Sequence, residues 1–136
     1  MTTLDQAREA IYLRFETQWA TRTAFTYQNE SNKGLDAGTA DWVRLSVLEV
    51  AGGQETLGPI LGRRYRRNGS IIVQIFTRGD KGMSASAGHA DTFRGIFEGV
   101  SFSGVDTSNA VAKEIGPDGK WHQTNVEVTF DYDEIK

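Results

Sequence analysis

Arg63-Arg64-Tyr65-Arg66-Arg67 runs straight into Asn68-Gly69 and then into Ile71-Ile72-Val73-Gln74-Ile75-Phe76, and this stretch constrains the fold more than any other. Asn-Gly favours the two positive φ values of a type I′ turn, so a basic arm and an apolar arm are predicted to fold back as an antiparallel hairpin. Ile71 to Phe76 suits a core. Four arginines within five residues cannot all be buried, which predicts an exposed edge or a surface that meets a partner. A solvated edge that blocks aggregation accounts for them about as well as a contact does.

The flanking segments supply the rest of a single domain. At 136 residues, with 38% hydrophobic content, the chain has the size for one two-layer core over residues 1–136. Leu4, Ala7, Ile11, Phe15 and Trp19 recur at helical spacing and predict a helix over Thr3–Ala20, with Thr3 and Gln6 forming a capping box. Ala24–Tyr27 reads as a strand that enters a long polar loop through Asn29 to Thr39. Asp41–Val50 alternates, with Val43, Leu45 and Val47 as the core face. Gly52-Gly53 is expected to end it, and Gln54–Pro59 to begin another strand.

A second helix is expected from about Ser84 to Phe97, burying Met83, Ala87, Ala90, Phe93, Ile96 and Phe97. Short strands near Val100–Val105 and Ala110–Ile115, a turn at Gly116-Pro117-Asp118-Gly119 and a closing strand Trp121–Tyr132 complete the order. Helix, strands, helix, strands is an α+β arrangement: a mainly antiparallel sheet packed against two α-helices.

Chemistry is sparse. Without cysteine there is no disulfide framework and no thiolate metal site. His89 and His122 have no acidic residues spaced for a metal triad, and both read as partly exposed polar residues. Gly79-Asp80-Lys81-Gly82 precedes a helix but lacks the phosphate-loop spacing, and Ser84, Ser86 and Ser101 lack a nucleophile elbow. Asp131, Asp133 and Glu134 read as a solvated acidic tail. No catalytic, cofactor-binding or metal-binding residue is assigned, and no enzyme is expected. A formal net charge of −3 gives no whole-molecule attraction for nucleic acid, no apolar run has the length of a membrane span, and the start is no signal peptide. The expected product is soluble and made in the cytoplasm.

Taken in order, several segments resemble one family. The opening helix ending in Trp19, Phe25-Thr26-Tyr27-Gln28-Asn29, Asp41-Trp42-Val43-Arg44-Leu45-Ser46-Val47, Gly69-Ser70-Ile71-Ile72-Val73-Gln74-Ile75-Phe76, Gly79-Asp80-Lys81-Gly82 and Trp121-His122-Gln123-Thr124-Asn125-Val126 together look like the tail terminator proteins of long-tailed bacteriophages. The resemblance covers nearly the whole chain and rests on segment order. It implies a tail terminator and tail tube-like fold, and a virion structural role. Such proteins form a hexameric ring at the head-proximal end of the tail, stop tube polymerisation and offer the head–tail joining surface.

The implied partners are further copies of the chain, the tail tube protein and the head–tail connector or neck protein, with DNA passing through the lumen without sequence-specific binding and no membrane. The implied place is the virion, after synthesis in the host bacterial cytoplasm. Interface residues expected on this basis are Asn29, Glu30, Lys33 and Asp36 in the polar loop, Arg63, Arg64, Arg66 and Arg67 on the basic arm, and Arg78, Asp80 and Lys81 on the ring surface. The alternatives are another tail or neck component, such as a tail completion or tube protein, or a nucleic-acid-binding module using Arg63–Arg67.

Overall fold

The computed structural model describes residues 3–20, 22–30, 34, 38, 40–54, 62–79 and 83–135. Helix α1 (Leu4–Trp19) starts where expected. Thr3 Oγ1 accepts from the Gln6 amide at 3.2 Å while Gln6 Oε1 accepts from the Thr3 amide at 3.0 Å, so two otherwise orphaned donors are satisfied reciprocally. Its Ala7, Ile11, Phe15 and Trp19 form one buried stripe.

Six strands follow: β1 (Ala24–Tyr27), β2 (Trp42–Gln54), β3 (Arg64–Arg78), β4 (Ser101–Phe102), β5 (Val105–Asp118) and β6 (Trp121–Ile135), with α2 (Ser84–Phe97) between β3 and β4. They form one sheet in the order β1-β2-β3-β6-β5-β4. The β1–β2 pair is parallel and the other pairs are antiparallel. Val43, Leu45 and Val47 of β2, Ile71, Val73 and Ile75 of β3, and Val126, Val128, Phe130 and Tyr132 of β6 face the apolar stripes of α1 and α2 in one core.

The opposite face holds a smaller aromatic cluster at one end. Trp42 stacks on Phe76 with centroids 4.2 Å apart, and Trp121 meets Trp42 edge-on at 6.5 Å. Arg44 lies over Trp42 and Lys120 over Trp121, so a cation caps each indole.

The main departure from the sequence expectation is the missing hairpin. Residues 64–78 form one continuous strand whose partner along its whole length is β6, from Arg64 against Ile135 to Arg78 against Trp121. Neither Asn68 nor Gly69 takes a positive φ. The glycine serves close approach instead. A Cβ on Gly69 would overlap the Leu48 carbonyl oxygen and come within 2.8 Å of the Phe130 ring. Directly opposite, β2 shifts register between Glu49 and Ala51, a bulge that bends the sheet at that level.

The strand lengths change the fold class with it. Gly52 and Gly53 continue β2 against Arg67 and Arg66, and the two short strands expected before β6 become the two-residue β4 and the fourteen-residue β5. Strands take up about twice as many described residues as helices. The α+β, tail terminator and tail tube-like expectation is therefore corrected to a mostly β fold, a six-stranded curled half-barrel carrying two helices. Gln54 closes β2, and the rest of the strand expected at Gln54–Pro59 lies outside the described residues.

In α2 the buried stripe is Ser86, His89, Ala90, Phe93, Ile96 and Phe97, while Met83 and Ala87 are exposed. His89 turns inward because both ring nitrogens are satisfied there: Arg22 Nε donates to Nδ1 at 2.9 Å, and Nε2 lies 3.0 Å from Asp41 Oδ2. Donation from a guanidinium fixes the neutral tautomer with hydrogen on Nε2. This contact ties α2 to the exit of α1 and to the residue before β2.

If Gly69 serves close packing and not a turn, Gly69→Ala costs about 3 kcal/mol or more in urea unfolding, while Asn68→Ala costs well under 1 kcal/mol. The reverse order would restore the hairpin.

Candidate interaction surfaces

Alternation along β3 separates the arginines onto two faces, and β6 meets them with acids in register. On the face away from the helices, Arg66 Nη1 lies 3.0 Å from Asp133, its Nη2 lies 2.6 Å from Asp131 and 3.9 Å from Asp106 of β5, and Arg64 pairs with Asp133. On the helix side, Arg67 reaches Glu134 at 3.2 Å and lies over the Tyr65 ring at 5.0 Å. Asp131, Asp133 and Glu134 are thus built into the sheet and are not a solvated tail.

The pairing perturbs both partners. The Arg64 hydrogen bond, with Arg66 adding to it, holds the Asp133 carboxyl below the usual carboxylate range. The Asp133 hydrogen bond in turn raises Arg66 further. A cross-strand signal existed in the sequence: arginines at 64 and 66 and aspartates at 131 and 133 share an i, i+2 spacing, as two facing strands require.

The other expected contact residues scatter. Asn29 has φ 62 and turns the chain just after β1, and Glu30 folds back, its Oε1 accepting from the Tyr27 amide at 3.2 Å. Arg63 lies one residue ahead of β3. Arg78 ends β3 and lines a pocket of about 360 Å³ with Pro117, Lys120, Trp121 and His122. Lys33, Asp36, Asp80 and Lys81 lie outside the described residues. The structure therefore brings Arg64 and Arg66 together around Asp131 and Asp133, sets Arg67 against Glu134 on the other face of the same sheet, and leaves Asn29, Glu30 and Arg78 apart from them. Among the described residues no group of three or more acidic or histidine side chains is placed to hold a metal.

Sequence reasoning missed a different surface, the sheet borders. On β2, β1 pairs only Trp42 to Leu45, and Gln28 and Arg8 satisfy groups as far as Val47. On β5, β4 pairs Val105 and Asp106, and Gly99, Val100 and Glu98 satisfy groups as far as Ala110. Beyond these, among the described residues, Leu48–Gln54 and Val111–Asp118 each have a neighbour on one side only. Leu48 is 44% exposed, Val111 47% and Ile115 54%. Beside the β5 border, Ile72, Val111, Lys113, Ile115 and Glu127 line a groove of about 490 Å³. No described helix is long and apolar enough to cross a membrane.

No protein-family model matches the chain, and no curated protein matches it. Twelve chains of solved structures match. One of them, whose name carries no functional description, aligns over 92% of this chain and 94% of its own at 15% identity, with a TM-score of 0.63. At that identity the likeness shows a shared fold alone.

The carboxylate network sets the acid response. Because the folded Asp133 carboxyl is depressed, its contribution is present above the unfolded value near 4 and is lost as pH falls through the lower folded value. Asp133→Asn should remove about 1 kcal/mol at pH 7 and flatten the fall in stability below pH 4. Replacing Arg64 and Arg66 together with Glu sets five carboxylates on one face and should lower the melting temperature; an unchanged value would mean that the pairs contribute nothing.

Proposed function

We propose that the chain is a virion structural protein, a tail terminator that closes the head-proximal end of a bacteriophage tail as a hexameric ring, stops tube growth and offers a joining surface to the head connector. The reading starts from the order of its segments along the sequence. The observation that carries it is the pair of borders, Leu48–Gln54 and Val111–Asp118, on opposite sides of one sheet, which among the described residues have a strand neighbour on one side only. A ring needs two different patches on each subunit that join head to tail, and two strand borders of one sheet are such patches. No pocket chemistry is required.

The charge network bears on the competing readings. A nucleic-acid module would use the arginines as free cations against phosphate. Arg64 and Arg66 instead form a cluster with Asp106, Asp131 and Asp133, three carboxylates to two guanidiniums. The acidic whole-chain charge points the same way. DNA passing through a ring lumen needs no basic surface of this kind.

Negative-stain microscopy with purified tail tubes tests the role. Labelled protein should collect at one tube end and halt addition of further tube subunits. Long filaments of the protein alone would make it a tube component, and indifference to tubes would remove a tail role.

A further inference from the structure

His89 is buried on the inner stripe of α2, 8% exposed, where neither the β3–β6 charge network nor a head-to-tail contact makes use of it. It is met from two other elements. Arg22, in the corner between α1 and β1, donates from Nε to Nδ1 at 2.9 Å, and Asp41, the residue ahead of β2, lies with Oδ2 3.0 Å from Nε2. From α1, the Trp19 ring packs beside the imidazole at 5.9 Å between centroids, and the Arg22 guanidinium lies over that indole at 5.8 Å. Among the described residues, Arg22 and Asp41 are the charged groups that pair with the ring.

The two nitrogens serve opposite partners. A guanidinium has hydrogens to give and no lone pair, so Nδ1 is bare; a carboxylate has the reverse, so Nε2 carries the hydrogen. A second proton therefore has one place to go, Nδ1. There it sets an N–H against the Arg22 N–H and a positive ring against a positive guanidinium. On the other side the same proton turns the Asp41 contact into an ion pair. Acid breaks one contact and tightens the other.

We propose that His89 is a proton-driven latch at the edge of the sheet: neutral, it clamps the α1–β1 corner to α2, and protonated, it expels Arg22 while keeping its hold on Asp41. The corner is what presents β1 to its neighbour. Trp19 Nε1 donates to Thr23 Oγ1 at 2.9 Å and the Arg22 amide to the Trp19 carbonyl at 3.0 Å, immediately before the strand begins at Ala24. β1 is the first strand of the sheet and meets β2 over four residues, Ala24 to Tyr27 against Trp42 to Leu45. A short edge strand is where local opening is least costly. Arg22 is exposed and has the Trp19 face beside it, so it can leave the ring nitrogen for water without burying an unpaired charge. Two carboxylates also act on β1: Glu30 accepts from the Tyr27 amide at 3.2 Å, and Glu16 accepts from the Tyr27 hydroxyl. A histidine ordinarily changes charge at higher pH than a carboxylate, which separates the two effects.

Amide hydrogen exchange of Phe25, Thr26 and Tyr27, corrected for its intrinsic pH dependence, reads the latch between about pH 8 and about pH 5, above the usual carboxylate range. Protection in β1 should fall several-fold on acidification of the wild type, while Ile71–Ile75 of β3 keeps its own. In the nitrogen NMR spectrum the His89 ring should carry hydrogen on Nε2 alone at the upper pH and on both nitrogens at the lower. His89→Gln retains an acceptor for Arg22 and a donor for Asp41 and cannot titrate, so its β1 protection should not change over this range. Arg22→Gln, at an exposed position, carries the same comparison should the first variant fail to fold: its amide can turn to face either form of the ring, which removes the step in β1 while His89 still titrates. A ring that stays neutral throughout, unchanged β1 protection in the wild type, or a loss that either variant reproduces overturns the proposal.

Discussion

The pairing of β3 with β6 across Asn68-Gly69 is the contact on which the rest of the molecule depends. Fifteen residues of β3 meet fifteen of β6 without a register shift, and the strand passes the one point where its local sequence favours a turn. A hairpin there would have gained two local conformational preferences. The continuous strand gains a full ladder of backbone bonds and keeps Ile71, Val73 and Ile75 in the same plane as Val126 and Val128. Long-range pairing of this kind outweighs a turn preference worth a few tenths to one kcal/mol.

Several consequences descend from that one strand. It carries the arginines past the aspartates of β6, turning a would-be exposed basic arm into a cross-strand network. It lets β2 run on to Gln54, which opens a border at one end of the sheet, while β5 runs on to Asp118 and opens the other. Glycine at 69 allows the Leu48 carbonyl to approach, and the bulge in β2 at the same level bends the sheet. Curl, charge pairing and open borders are thus linked through a single stretch of backbone.

What the sequence made legible was local. The capping box and apolar spacing of α1, the strand Ala24–Tyr27 and the alternation of Val43, Leu45 and Val47 are short-range patterns, and each appears as read. Asn68-Gly69 misled because its alternative use, a close backbone approach, depends on Leu48 and Phe130, both far away in the chain. The stripe of α2 was rotated for a related reason. His89 looks polar until Arg22 and Asp41 are known to meet it. The interface residues were chosen for charge, and the charges of Arg64, Arg66 and Arg67 are used inside the chain. Strand borders that have a neighbour on one side only among the described residues have no compositional signature.

The continuity of β3 is open to direct observation by nuclear Overhauser contacts in the labelled protein. The account predicts cross-strand backbone contacts that run without interruption from residue 65 against 134 to residue 77 against 122, including Gly69 against Phe130. Contacts between residues 66–67 and 70–71 in their place would establish the hairpin and contradict the charge network and both open borders together.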